Sequence, residues 1–310
     1  MSYVAIARRH RPNTFEEMAG QAHVTRTLKN ALERDRIHHA YLFSGPRGVG
    51  KTTSARALAR ALNCDQGPTA NPCGQCINCT DIIKGSSPDV IEIDGASNNS
   101  VDNVRELRES VQYLPNQGRK KVYIIDEVHM LSKGAFNALL KTLEEPPAHV
   151  MFIFATTEPN KLPDTIISRV QRFEFKRIPM DIVVKHLAMI AQKEEIKIST
   201  GGLKLIARAG DGSMRDSQSL LDQVISFGGN DIHFFEKNIN KKLVTKFLKK
   251  HGHIMCQKFL PMIKNGDKRV FLFNGKINGA ISRVPQSGSF LSNMSKGAKA
   301  IATDLTKIAI

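Results

Sequence analysis

Three groups of residues in this 310-residue chain have types and spacings that could do chemistry. The first is Gly45-Pro46-Arg47-Gly48-Val49-Gly50-Lys51-Thr52-Thr53, a G-x-x-x-x-G-K-T string. Glycines at this spacing let backbone N–H groups turn inward on a phosphate, and a helix that follows adds its N-terminal dipole. Gly45, Gly48, Val49, Gly50, Lys51, Thr52 and Thr53 are the expected cradle for ATP or GTP. Lys51 is expected to reach the β and γ phosphates, and the Thr52 hydroxyl to hold Mg2+. The second group is Asp126-Glu127, which ends the apolar run Val122–Ile125. There Asp126 would orient the Mg2+ shell and Glu127 would polarise the attacking water. The alternative is a strand ending in a solvated acidic turn. The third group is Cys64, Cys73, Cys76 and Cys79, four of the five cysteines within sixteen residues. Four thiolates at these spacings can close a tetrahedral structural Zn2+ site, with Pro72 and Gly74 at the tight turns. The alternatives are unligated cysteines on a loop, or a redox pair that leaves two thiols without a task.

These residues need elements to hold them. The run Ala40–Phe43 reads as a strand and Ser54–Leu62 as a helix, so the glycine string sits in a strand–turn–helix context. Ahead of it, a helix is expected from about Gln21 to Arg34, with Ala22, Val24, Leu28, Ala31 and Leu32 near helical spacing. Such a helix can close over a nucleotide base, or it can be plain packing, with Arg11-Pro12 stiffening its approach. Pro88–Asp94 reads as a strand and Ser100–Tyr113 as a helix with Val101, Val104, Leu107 and Val111 inward. Lys133–Glu144 is amphipathic, with Phe136, Leu139, Leu140 and Leu143 on one face, and Pro146-Pro147 stops it. Val150–Thr157 is a continuous apolar run, the pattern of a strand buried on both faces, and it ends in two hydroxyl residues. From Pro179 an all-helical stretch is expected, with a helix opened by Met214-Arg215-Asp216 that turns Leu220, Leu221, Val224 and Ile225 inward.

Composition narrows the class. The apolar fraction of 41% and charged fraction of 24% are those of a globular chain with an ample core. No apolar run approaches the roughly 18 residues that cross a membrane, and the N-terminal apolar segment is too short for a signal peptide. A cytoplasmic protein with no membrane partner is expected. The net charge is +16, but residues 231–310 hold 15 Lys and Arg against 4 Asp and Glu, a net of +11. The first 230 residues are therefore only +5. The basic signal belongs mostly to the last quarter.

Residues 1–230 resemble, nearly end to end, the gamma/tau family of bacterial DNA polymerase III clamp-loader ATPases, in the AAA+ class. The matching strings are Arg11-Pro12-x-x-Phe15, Gly20-Gln21, His39 to Thr52, and the four-cysteine insert. They continue with Ile124 to Ser132, Phe136 to Pro147, Ala155-Thr-Thr-Glu-Pro159 and Gly212-Ser-Met-Arg-Asp216. The resemblance implies an α/β fold. Residues 1–178 would form a parallel αβα sheet carrying the zinc insert at about 64–79, and residues 179–230 a small helical lid, with ATP in the cleft. It implies that Thr157 senses the γ-phosphate and that Arg169 is an arginine finger reaching a neighbouring subunit's ATP. Arg215 would be a second sensor on the lid. The family triplet Ser-Arg-Cys stands here as Ser168-Arg169-Val170, which keeps the cation. The implied partners are other clamp-loader subunits, the sliding clamp and primer–template DNA held by its phosphate backbone. A charge of +5 fits a DNA contact shared among subunits.

After Gly228-Gly-Asn230 that resemblance is expected to stop, where the family continues into a helical collar. Residues 231–310 instead form a basic tail of short α+β character. It has a basic helix at Lys242–His251 and strand-like runs at Ile254–Phe259, Val270–Phe273 and Gly279–Ser282. The helix could touch DNA or be a solvated face. The tail resembles part of the ATP-grasp domain of bacterial glutathione synthetase. The residues that carry this are Gln257–Pro261, Lys264–Val270, Asn274-Gly275, Ser282–Pro285 and Gly288–Gly297. That family's Mg2+ ligands lie further along, so no ligase activity is expected, and Cys256 is expected to be a buried strand residue. A chain of this kind reads as a fusion of two unrelated pieces.

Overall fold

The computed structural model describes residues 3–97, 106–107, 109–228, 231–232, 267–273, 276–284 and 299–302. The contacts divide the chain into two compact units, Met1–Gln223 and Val224–Ile310.

The first unit is built on five parallel strands. They are β1 (Ala40–Ser44), β2 (Val90–Asp94), β3 (Lys121–Asp126), β4 (Val150–Thr156) and β5 (Gln171–Glu174), in the order β2-β3-β4-β1-β5. Phe43 pairs with Ala155 on one side and Phe173 on the other, and Ile125 pairs with Phe154. Side chains alternate across the sheet with period two. Tyr41, Phe43, Val122, Ile124, Met151 and Ile153 enter one core, while Leu42, Tyr123, Ile125, Phe152 and Phe154 enter the other. Burial on both faces is why β1, β3 and β4 read as apolar runs.

Helices cover both faces. A short α1 (Ile6–Arg9) precedes α2 (Ala22–Glu33), which buries Val24, Leu28 and Leu32, and α3 (Lys51–Asn63), which buries Ala55, Ala57, Leu58, Ala59, Ala61 and Leu62. These share the core of Tyr41 and Phe43. Small residues let α3 lie close on the sheet. Of the two readings of α2, burial supports packing. Next comes α4 (Ile77–Lys84), then α5 (Lys133–Glu144), with Ser132 accepting the Ala135 N–H as its cap. Phe136, Leu139 and Leu143 of α5 enter the opposite core with Ile166 of α6 (Asp164–Ile167). Of the expected Ser100–Tyr113 helix, Leu107 and Val111 are buried, while Val101 and Val104 lie outside the described residues.

Pro179 precedes the lid helices α7 (Met180–Lys193), α8 (Thr200–Ala209) and α9 (Met214–Gly228). The stretch is not all helical: Lys197–Ile198 is a two-residue strand in the turn between α7 and α8. Further boundaries shift too. β2 begins at Val90 rather than Pro88, and β4 ends at Thr156 rather than Thr157. The second shift changes chemistry, because Thr157 leaves the ladder and its side chain is free to turn.

In the second unit, Asp267–Phe273, Lys276–Val284 and Lys299–Ala302 form an antiparallel sheet with Lys276–Val284 in the centre. Two of the expected strand runs fall inside it. At the end of the first strand Phe273 pairs with Lys276 of the second. The runs Lys242–His251 and Ile254–Phe259 lie outside the described residues, and Cys256 with them.

Candidate nucleotide site and cysteine cluster

The glycine string leaves the C-terminal end of β1 and enters α3, so the loop opens at the carboxyl edge of the sheet, where ligands of open parallel sheets bind. Gly45, Gly48 and Gly50 all have positive φ, at 140°, 74° and 105°. The Gly45 N–H donates to Thr156 O at 3.2 Å, anchoring the loop to the end of β4. Val49 is buried in the core and fixes the far side.

Lys51 is nearly buried, and its Nζ donates to Gly45 O and Pro46 O, both at 2.8 Å. Its ammonium therefore rests on the loop's own carbonyls. Burial pushes its pKa below the ordinary lysine value, and the Glu127 and Asp126 carboxylates pull it back up. Thr52 Oγ1 donates to Asp126 Oδ2 at 2.8 Å. A hydroxyl and a carboxylate in contact are the oxygen donors that a hard cation takes, so the pair fits Mg2+. Glu127 stands next to them with φ 45°. Its Oε2 accepts from Thr157 Oγ1 at 3.0 Å and from the Thr157 N–H at 3.3 Å. Lys51, Thr52, Asp126, Glu127 and Thr157 thus converge at the ends of three neighbouring strands.

The lid reaches the same loop. The N–H groups of Met214 and Arg215 donate to Gly48 O at 3.0 and 3.3 Å. Arg215 is exposed beside the loop. Arg169 is elsewhere: its guanidinium meets Glu144 Oε1 at 2.6 Å and Thr165 O at 2.7 Å, on the outer side of α5 and α6. The structure therefore joins Arg215 to the site and leaves Arg169 out of it.

The sequence gives no site role to three residues that stand here. Arg11 Nε donates to Thr53 Oγ1 at 3.2 Å, and burial, then the charges of Arg56 and Arg215, hold its pKa below the arginine norm. Ser213 packs on Gly48. His129 lies in the turn after β3 with a side chain only 6% exposed, and its Nδ1 is 2.9 Å from Thr156 Oγ1. The string Asp-Glu-Val-His contained the His129 signal, but nothing local says which way an imidazole turns.

The four cysteines follow α3. Their Sγ atoms all lie within 4.8 Å of one another, and Cys73 and Cys79 are 4.0 Å apart. Four sulfurs around Zn2+ at about 2.3 Å stand about 3.8 Å apart, so this set needs little adjustment. Backbone N–H groups already point at the sulfurs: Cys73 N to Cys64 Sγ at 3.3 Å, Cys76 N to Cys73 Sγ at 3.3 Å and Cys79 N to Cys76 Sγ at 3.4 Å. The N–H groups of Cys76 and Gln75 favour the Cys73 thiolate and lower its pKa to about 6. Gly74, at φ 72°, makes the turn between the ligands. Arg119 ties the insert to the core by donating to Cys64 O and Asp65 O.

Comparison with known proteins places this geometry in a family. Residues 20–179 match the model described as DNA polymerase III, delta subunit, and residues 182–230 match that of the DNA polymerase III clamp loader subunit, ATPase lid domain. Residues 214–310 match the ATP-grasp domain of prokaryotic glutathione synthetase. DNA polymerase III subunit tau of Bacillus subtilis is 56% identical over 230 residues, 74% of this chain and 41% of that protein. The Escherichia coli tau subunit is 53% identical over 232 residues, 75% of this chain and 36% of that protein. The chain thus spans about two fifths of the length of these relatives. DNA polymerase III subunit gamma of Buchnera aphidicola is 45% identical over 282 residues, 90% of this chain and 75% of that protein. A match over nine tenths of the chain necessarily runs well beyond residue 230, into the segment the ATP-grasp model also matches. Among solved structures, the Thermotoga maritima RuvB Holliday junction branch migration motor superposes with a TM-score of 0.52 at 19% identity. That match covers 77% of this chain and 72% of the other, and it shows a shared fold. On the two clamp-loader segments and the gamma and tau relatives, the chain belongs to the DNA polymerase III clamp-loader gamma/tau family.

Proposed function

We propose that this chain is an ATP-binding and ATP-hydrolysing subunit of the DNA polymerase III clamp loader, using ATP to open the sliding clamp and load it on primed DNA. The observation that carries the reading is the convergence of Lys51, Thr52, Asp126, Glu127 and Thr157 at the carboxyl ends of β1, β3 and β4. Lys51 would leave the carbonyls of Gly45 and Pro46 for the β and γ phosphates. Thr52 and Asp126 would hold Mg2+, which when bound neutralises phosphate charge. Glu127 would take a proton from the attacking water, and Thr157 would donate to a γ-phosphate oxygen. Burial, then the neighbouring charges of Arg56 and Arg215, lower the Arg11 pKa, and an anionic ligand at the loop would offset those charges. Arg169, outside its own site, would serve the ATP of a neighbouring subunit and tie hydrolysis to assembly.

The partners in this reading are other loader subunits, the clamp, and primer–template DNA contacted through its phosphates, in the cytoplasm. Zn2+ on Cys64, Cys73, Cys76 and Cys79 would be structural, since four thiolates leave no open position. The test is ATP binding and hydrolysis by the full chain against Lys51→Ala.

The ATP-grasp match of residues 214–310 favours a second reading, a fused product that binds ATP without entering the ring. Sedimentation with partner subunits separates the two. A monomer at all concentrations supports the second, and co-sedimentation supports the first.

A further inference from the structure

We propose that His129 is a positioning residue for Glu127, holding its carboxylate when Thr157 turns to the nucleotide. The inference rests on the ATPase reading. Two of the contacts to Glu127 Oε2 come from Thr157, through Oγ1 at 3.0 Å and N–H at 3.3 Å. A hydroxyl carries one proton. When Thr157 Oγ1 gives that proton to a γ-phosphate oxygen, Glu127 loses its shortest bond, at the moment when its carboxylate must face the attacking water. Among the described residues, the other side chain paired with Oε2 is His129, whose Nδ1 lies 3.4 Å away.

His129 is held firmly enough for this task. Nδ1 lies between Thr156 Oγ1 at 2.9 Å and Glu127 Oε2 at 3.4 Å, so its single N–H is shared by the two and can go over to the carboxylate when Thr157 leaves it, while Nε2 faces Glu158 Oε1 at 3.5 Å. Thr156 is itself fully buried, and its Oγ1 also accepts the Glu158 N–H at 3.0 Å. Three successive residues therefore divide the work: Thr156 and Glu158 fix the imidazole, and Thr157 between them holds Glu127. Any shift of this segment toward a γ-phosphate moves the imidazole and the carboxylate together. A structural filler would need volume alone, yet here Nδ1 is turned onto Thr156 Oγ1 and Glu127 Oε2, and Nε2 onto Glu158 Oε1.

The test is steady-state ATP hydrolysis by the full chain and by His129→Ala and His129→Asn, with affinity for a fluorescent ATP analogue measured separately. The expected result is a fall in kcat of about tenfold or more for His129→Ala, with ATP affinity within about twofold, and partial recovery in His129→Asn, which restores a polar atom near Nδ1. A kcat within about twofold of the parent in both variants would overturn it. So would a loss of affinity equal to the loss of rate, or an asparagine variant no better than alanine. Should His129→Ala not fold, His129→Asn carries the comparison with the parent. A parent chain without ATP turnover would instead overturn the ATPase reading.

Discussion

Gly48 of the phosphate loop and Ser213 of the lid touch so closely that a Cβ on Gly48 would fall 2.0 Å from Ser213 Oγ and 3.2 Å from Arg215 Cβ. The loop carbonyl of the same glycine receives the first two N–H groups of α9. Loop and lid are thus seated on one another through a position that admits no side chain. Gly48→Ala should strain φ 74° by about 1–2 kcal/mol and also push the lid away. ATP binding weaker by about tenfold, with the fold retained by circular dichroism, is expected.

The cysteine cluster gives a prediction independent of ATP. Purified chain should carry about one equivalent of zinc, and Cys76→Ser should lower both metal content and thermal midpoint. Atomic absorption and a melting curve check both. Metal-free protein that melts unchanged would remove zinc from the account.

Arg169 predicts a split between isolated and assembled protein. Its contacts with Glu144 and Thr165 keep it away from its own loop. Arg169→Ala should leave ATP affinity of the isolated chain unchanged and lower turnover in the assembled loader by about a thousandfold. A matching loss in the isolated chain would place the arginine in its own site.

His186 predicts a pH effect on stability. Among the described residues its Nε2 is buried without a hydrogen-bond partner, and its pKa is lowered first by burial, then by the His10 and Lys193 charges, with Glu17 opposing. With the folded pKa below the unfolded value of about 6.5, both states are neutral above that value and the cost is nil. As pH falls from there toward the folded pKa, the unfolded chain takes up the proton first, so stability drops. His186→Leu should lose less thermal midpoint than the parent between about pH 7 and pH 5.5.

The site was legible where its chemistry is local. Lys51, Thr52, Asp126, Glu127 and the four cysteines are set by short strings whose spacing is itself the geometry. Both strand and helix around the loop followed from apolar runs. Contacts between distant segments left no such trace. Nothing in Arg11-Pro12 shows that the guanidinium meets Thr53, and nothing in Gly212-Ser213 shows a seat on Gly48. The strand order, with β1 between β4 and β5, is equally non-local. The end of β4 was misplaced by one residue because Thr156 and Thr157 have the same type, although one is buried in the ladder and the other turns to Glu127.

The central claim is that Lys51 and Glu127 stand in one ATP-hydrolysing site. It is tested most directly by ATP binding and steady-state hydrolysis of the full chain beside Lys51→Ala and Glu127→Gln, with DNA and clamp present. The account predicts that Lys51→Ala loses ATP binding, while Glu127→Gln binds ATP and turns over at least about a hundredfold more slowly. Unchanged ATP binding in Lys51→Ala, or unchanged turnover in Glu127→Gln, would contradict it.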